Sequence, residues 1–337
     1  MWKAHTSPVR SELGRTVKSC EFSDTNAFDE ADRAFVLEEA SLDFGRQIVD
    51  DSGIMDRGDG VSSAASGFGA ATLPNLQRAR GEGRVIARAR NGRTETERLY
   101  QEGCAKIRLP HTHSDALQAV LMNTAGGLTG GDHLQWSATA GAGASLVLTT
   151  PACERVYRSL GDDAVVETRL VAGEGAHLDW LPQETILYEH SRLDRRLDID
   201  LADGATLTAV EAVLLGREAM GEAAHNARLR DNWRVRRHGR LIHAEATMLS
   251  ADPHERRGNS LLAGALAFAT VLHVAPDAER RLGAIRALLP ESGGASVIGE
   301  RLTVRLLAVN GLALRRSLSP IIALLSAAGS VPRLWTL

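Results

Sequence analysis

Asn123-Thr-Ala-Gly-Gly-Leu-Thr-Gly-Gly-Asp132 is the stretch that decides how this chain reads. Its four glycines, Gly126, Gly127, Gly130 and Gly131, fall between an apolar run at 117–122 and a polar–apolar alternation at 133–138. Glycine carries no Cβ, so it reaches positive φ and lets another backbone approach closely. The stretch therefore predicts a tight crossing between two strands. Asp132 closes it with a short carboxylate that can accept from neighbouring amides. A glycine-rich loop can also cradle phosphate. Here no Lys-Ser/Thr ending follows and no helical pattern opens, so the P-loop reading fails.

Outward from this loop the pattern is β. Strands are expected at 83–89, 94–101, 104–109, 134–138, 145–149, 164–171, 177–181, 195–201, 205–214, 232–237 and 240–247. Asn91-Gly92 and His238-Gly239 read as hairpin turns. In 195–201, Leu197, Ile199 and Leu201 point one way and Arg196, Asp198 and Asp200 the other, as in a half-buried antiparallel strand. Turn signals every eight to twelve residues or so suit a sandwich, a barrel or stacked strands. No repeat of fixed period is visible. Late in the chain the character changes. A helix is expected over 275–289, with Pro276 in its first turn and Asp277 and Glu279 suiting its dipole. A strand follows at 297–309, then an apolar helix over 312–328, interrupted near Pro320.

The N-terminal part differs. Acidic residues recur between Glu21 and Asp59, and Gly, Ser and Ala dominate 60–72. Only 31–40 has helical spacing. This composition predicts a poorly ordered extension over 1–75 ahead of a β-rich domain at 76–337, with Met55 a candidate start of translation.

Composition bounds the function. The 337 residues are 44% hydrophobic but only 4% aromatic, so the core must come from Leu, Val, Ile and Ala. A net charge of −3 gives no basic excess and argues against a nucleic-acid partner. No apolar stretch reaches the ~20 residues of a membrane span, and the opening residues lack the apolar segment of a secretory signal. Cys20, Cys104 and Cys153 are too few and too scattered for a disulfide framework, so a cytoplasmic location is expected.

Several residues invite chemistry. His111-Thr-His113-Ser-Asp115 would bring two imidazoles and a carboxylate to one face of an extended chain, a donor set for Ni, Zn or Cu. It matches the opening of the metallo-hydrolase pattern His-x-His-x-Asp-His, but Ala116 stands at the sixth position. The plain alternative is an exposed turn after Pro110. Cys153 lacks a helix start or histidine nearby that would activate a thiol. Arg155, Tyr157 and Arg158 are expected to pack against and pair with the Asp132 and Glu184 region. Glu184 follows Pro182, which marks a strand end. Glu211, Arg217 and Glu222 gather around Gly216 and Gly221, with Met220 between them as a candidate core filler. Asp132, Glu184, Glu211 and Glu222 offer oxygen donors for a divalent cation in transit; a surface or ion-pair role is the plain alternative for each. No Ser-His-Asp order, paired-carboxylate motif or dinucleotide fingerprint stands out, so no catalytic role is assigned.

Four stretches in order carry a family resemblance: 123–132, then 149–159 (Thr-Thr-Pro-Ala-Cys-Glu-Arg-Val-Tyr-Arg-Ser), 180–186 (Trp-Leu-Pro-Gln-Glu-Thr-Ile) and 216–222 (Gly-Arg-Glu-Ala-Met-Gly-Glu). Together they resemble the UreD (UreH) family of urease accessory proteins over roughly 82–337. Asn123, the four loop glycines, Arg155, Glu184, Arg217, Met220 and Gly221 occupy motif positions. The resemblance implies a mainly β fold, a stacked, β-helix-like array of strands with two helices in the C-terminal region. It implies a non-catalytic scaffold that joins UreF and UreG, binds apo-urease and helps deliver nickel, with UreG supplying GTP hydrolysis. Nickel would be bound only in passing, with no tightly held cofactor, no nucleic acid and no membrane. Two alternatives stay open: a metallo-hydrolase built on His111, His113 and Asp115, and a β-rich binding module.

Overall fold

Three turns of similar sequence set the architecture: Gly-Ala-Gly-Ala at 141–144, Gly-Glu-Gly-Ala at 173–176 and Ala-Asp-Gly-Ala at 202–205. The third residue of each, Gly143, Gly175 and Gly204, has φ of 65°, 60° and 64°. Side chains with a Cβ rarely adopt that region. The turns stack: the Gly143 N–H donates to the Glu174 carbonyl and the Gly175 N–H to the Asp203 carbonyl, both at 2.8 Å. A solenoid results, seen in a computed structural model that describes residues 77–336 apart from 251, 252 and 328. The expected extension over 1–75, its 31–40 helix and the Met55 start lie outside the described residues.

In chain order the strands are β1 (Arg80–Arg90), β2 (Arg93–Gly103), β3 (Ala105–Arg108), β4 (Leu117–Asn123), β5 (His133–Ala140), β6 (Ser145–Thr149), β7 (Glu154–Val156), β8 (Ala164–Ala172), β9 (His177–Leu181), β10 (Thr185–Leu187), β11 (Arg192–Leu201), β12 (Thr206–Leu215), β13 (Arg228–Arg237), β14 (Arg240–Leu249), β15 (Ala267–Val274), β16 (Gly293–Ile298) and β17 (Arg301–Ala308). The helices are α1 (Pro253–Arg257), α2 (Ala278–Leu288) and α3 (Gly311–Leu325).

A seven-stranded sheet runs β14-β13-β11-β8-β5-β1-β2. Facing it is a sheet ordered β16-β17-β15-β12-β9-β6-β4-β3, extended sideways by β10 and β7. The middle of each sheet is parallel: β5, β8, β11 and β13 in the first, β4, β6, β9 and β12 in the second. The ends are antiparallel. β2 and β3 close one end, and β14 with β15, β17 and β16 closes the other. Each coil thus passes from a strand of the second sheet through a lateral turn to a strand of the first. The lateral turns have their own ladder, in which Leu128, Val156, Leu187 and Leu215 line up in parallel, all buried.

One core fills the space between the sheets, with Leu146, Leu148, Leu170, Leu178, Leu197, Ile199 and Leu207 fully enclosed. Burial of each such side chain contributes about 1.5–3 kcal/mol. A second core lies between the outer side of the larger sheet and α2 and α3; Val210, Ala212, Val271 and Val304 meet Leu314, Leu318, Ile321 and Ile322 there. β12 serves both. Leu207, Ala209 and Val213 face the inter-sheet core, while Val210 and Ala212 face the helices.

The mainly β, stacked architecture with helices late in the chain agrees with the sequence reading, and both hairpins are present, with Asn91 and His238 at φ 51° and 52°. Four details differ. β11 is parallel to both its neighbours, because the solenoid winding, not a hairpin, supplies them. The strand expected at 297–309 is a hairpin, β16 and β17, folded at Gly299, where φ is 60°. β15 was not anticipated; both its faces are buried, so it lacks polar–apolar alternation. α3 runs through Pro320 without a break. Pro320 is exposed, and fully buried Leu318, Ile321 and Ile322 hold the helix on either side of the one lost hydrogen bond.

Candidate functional site

The four family-like stretches, far apart in sequence, occupy the lateral turns of four successive coils. In the first, 123–132, the glycines allow close approach. A Cβ on Gly127 would sit 2.3 Å from the Tyr157 ring, and one on Gly130 would sit 2.1 Å from Ser159 Oγ. Asn123 Nδ2 donates to the Gly127 carbonyl at 3.2 Å and to Glu154 Oε1 at 3.3 Å. Asp132 is buried. Its Oδ1 accepts from the Ala79 N–H at 2.7 Å and its Oδ2 from the Thr129 N–H at 2.8 Å. Asp132 therefore closes the loop with both oxygens in use.

Glu184 lies at the corner between β9 and β10 and is 2% exposed. Its cation is Arg315 of α3, with Arg315 Nε donating to Oε1 at 2.9 Å and Nη2 to Oε2. Burial opposes its charge, but the Arg315 hydrogen bonds and charge outweigh this and hold the carboxyl below the usual range. The same guanidinium reaches Gln183 Oε1 at 2.8 Å and lies over the Trp335 ring at 5.5 Å. Cys153 donates to Glu184 Oε2 at 3.3 Å. Burial, then the Glu184 charge, pushes its thiol up to about 12, so Cys153 is not an activated nucleophile. The expected partnership of Arg155 and Arg158 with Asp132 and Glu184 is not formed. Both arginines are exposed, and α3 supplies the cation instead. Glu154, not singled out from sequence, is half-buried beside them, and burial raises its carboxyl to about 7.

Glu211 belongs to a buried network. It faces the inter-sheet core from β12 and pairs with Arg195 of β11. Trp180 Nε1 donates to its Oε1 at 2.9 Å. Arg195 also grips Asp231 of β13, its register neighbour, through Nε at 3.1 Å and Nη2 at 2.7 Å. Trp233 Nε1 donates to Asp231 Oδ1 at 3.2 Å. Two carboxylates share one guanidinium in a dry space. Burial accordingly drives Glu211 up to about 7 against the pull of Arg195, and the Asp231 charge adds to the rise. Burial disfavours the Arg195 charge, yet Asp231 and Glu211 overcome it and raise the guanidinium further. Arg195 Nη1 donates to Thr185 Oγ1 at 3.1 Å, which links this network to the residue next to Glu184. Arg195 and Asp231 escaped the sequence reading, though a signal existed: Arg195 lies two residues before Leu197, hence on its inward face.

The fourth turn holds Glu222 beneath Arg217. The two are ion-paired, and Glu222 also accepts from the Glu189 N–H. Arg217 lies 4.6 Å over the Tyr188 ring. Met220 is 72% exposed, so the core-filler expectation is wrong: a 3-10 turn, 218–220, ending at Gly221 (φ 66°), carries it outward.

His111, His113 and Asp115 lie on an exposed loop, not a strand, so no shared face forms. Asp115 pairs with Arg93 at 3.2 Å. His113 borders a cavity of about 400 Å³ with Gln118, Val147 and Arg333. Among the described residues no three His, Cys, Asp or Glu side chains are placed to hold one metal ion. Asp132, Glu184, Glu211 and Glu222 therefore do not gather into one metal centre. No helix among the described residues is long and apolar enough to cross a membrane.

The family model described as UreD urease accessory protein matches residues 79–336. The chain is 62% identical over 264 residues to a urease accessory protein UreD of Chelativorans sp. strain BNC1, covering 78% of this chain and 95% of the relative. It is 51% identical over 275 residues to one from Agrobacterium fabrum strain C58, covering 81% and 97%. The protein of the same name in Rhizobium etli is 50% identical over 269 residues, covering 79% and 98%.

Proposed function

The chain belongs to the UreD family of urease accessory proteins, and from that premise we propose that it is a non-catalytic scaffold for loading nickel into urease. In this reading it works in the cytoplasm, assembles with UreF and UreG, and docks on apo-urease. Nickel is its cargo and not a resident cofactor. The observation that carries the reading is the row of carboxyl groups along the lateral turns and just inside them. Glu154 and Glu211, both raised to about 7, exchange a proton near neutrality. Glu184 and Glu222 are held by arginines that a divalent cation could replace. A transfer route needs such sites, because the ion must leave as readily as it enters. A closed set of thiolates or imidazoles would trap it.

The test is urease maturation. The cognate urease operon is expressed with and without this chain under supplied nickel, and the purified urease is assayed for nickel content and urea hydrolysis. Both are expected to collapse without the chain and to return with it. Equal loading either way refutes the reading.

A further inference from the structure

Arg315 serves two acceptors that are neighbours in sequence. Its Nη2 donates to Glu184 Oε2 and, at 2.8 Å, to Gln183 Oε1. Glu184 is 2% exposed and the Arg315 side chain 24%, so the guanidinium reaches from the buried carboxylate towards the surface. A divalent cation that takes Glu184 displaces this guanidinium. A positive group stripped of its carboxylate inside a protein is costly unless another partner receives it. Gln183 and Trp335 supply that partner.

Gln183 is fixed without help from Glu184. Its N–H donates to Thr150 Oγ1 at 2.9 Å, and its Nε2 donates to the Thr150 carbonyl at 3.2 Å and the Leu334 carbonyl at 3.1 Å. With both amide hydrogens in use, the side chain cannot turn, and Oε1 stays towards Arg315. Trp335 is fixed as well. It is 3% exposed, and its Nε1 donates to the Leu181 carbonyl at 3.1 Å. The Arg315 guanidinium lies over its ring at 5.5 Å, inside the range in which an aromatic face attracts a cation. Both groups are uncharged. A carboxylate in their place would compete for the incoming ion; a ring face and an amide oxygen already bonded to the arginine do not.

We propose that Arg315 is the gate of Glu184, and that Gln183 and Trp335 are the positioning residues that receive it. With no ion present the guanidinium closes the carboxylate. When a divalent cation occupies Glu184, the arginine keeps its bond to Gln183, gives up Glu184 and settles on the Trp335 face. It returns when the ion moves on. The inference rests on the nickel-transfer reading above and adds to it how one of the carboxylates opens and closes.

The experiment uses the full chain expressed with the cognate urease operon. It measures nickel bound per urease as supplied nickel is raised from limiting to saturating. Trp335→Leu removes the ring face and Trp335→Phe keeps one; both lose the Nε1 bond and some volume, so their difference isolates the face. Trp335→Leu should need several-fold more nickel for half loading, and Trp335→Phe should stay within about twofold of wild type. Gln183→Met removes the other half of the seat and should act in the same direction as Trp335→Leu; it decides the test if Trp335→Leu lowers the melting temperature. Alkylation of Cys153 in the purified, nickel-free chain reports on the resting pair, because Cys153 donates to Glu184. Its rate should match wild type in the Trp335 variants. If Trp335→Leu and Trp335→Phe need the same nickel, the gate is overturned. If the need for nickel rises only together with faster alkylation of Cys153, Trp335 merely holds the resting pair in place, and the gate is again overturned. In both cases the transfer reading stands as long as urease loading depends on the chain. If urease is loaded equally without the chain, the transfer reading falls and the gate falls with it.

Discussion

Replacing Arg195 by methionine tests the buried network most directly. The substitution keeps the volume of the stem and removes the one guanidinium set between Glu211 and Asp231. Both carboxylates stay enclosed, with Trp180 and Trp233 their remaining side-chain donors among the described residues. Breaking a buried ion pair from one side costs about 3–5 kcal/mol. For a domain of this size that lowers the melting temperature by roughly 6–20 °C. The loss must also depend on pH. In the wild type Glu211 already stands at about 7, and removing Arg195, whose charge pulls it down, raises it further. Above about 7 the folded variant keeps a proton that the folded wild type has released, so the deficit is smallest in acid and grows as pH rises beyond that value. Urea denaturation followed by circular dichroism at pH 5 and pH 8 reads both effects. Adding Glu211→Gln and Asp231→Asn keeps acceptors for both indoles and removes the stranded charges. The triple variant should recover most of the loss, because neutral replacements of a buried ionic set are often near-neutral in stability. A loss under about 1 kcal/mol in the single variant, or one that does not shrink on acidification, refutes the argument.

Three further outcomes are expected. Gly216→Ala forces a Cβ to 2.0 Å from the Glu222 carbonyl oxygen at φ +80°, whereas Gly239→Ala, at φ +71°, meets nothing within 4 Å. Chemical denaturation should show a loss above about 2 kcal/mol for the first and about 1 kcal/mol for the second. Glu184→Gln removes the charge that helps hold the Cys153 thiol at about 12, so alkylation of Cys153, followed by mass spectrometry, should run several-fold faster at fixed pH. An unchanged rate would mean that burial alone sets the thiol. His111→Ala with His113→Ala should leave the nickel content of matured urease unaltered, and a marked fall would restore the histidine loop as a metal site.

The repeat that builds the solenoid was present in the sequence yet passed as irregular. Its sheet strands begin at Leu117, Ser145, His177 and Thr206, so the period drifts, while the turns at 141–144, 173–176 and 202–205 keep one Gly-Ala ending. The lateral turns vary in length between them, which hides the register from a search for fixed spacing. The glycine loop was legible as a crossing because φ and close approach are local demands. Its destination was not. Asn123 ends a strand of one sheet and His133 begins a strand of the other.

What the sequence determined by itself was local: strand-rich segments, two hairpins, inward and outward faces of β11, the two longer helices, and the motifs of the family. Alternation fixes which face a side chain takes, since successive Cβ atoms point to opposite sides. Alternation is silent about which strand lies beside it. Only the tertiary structure decided that β11 runs parallel between β8 and β13, that Arg195 therefore meets Asp231 and Glu211, and that Arg315, 131 positions along the chain, is the cation of Glu184. Pairings between buried charges depend on the winding of the coils and on where the last helix comes to rest. Both are settled by packing between segments distant in sequence, where the exclusion of water makes an ion's partner obligatory.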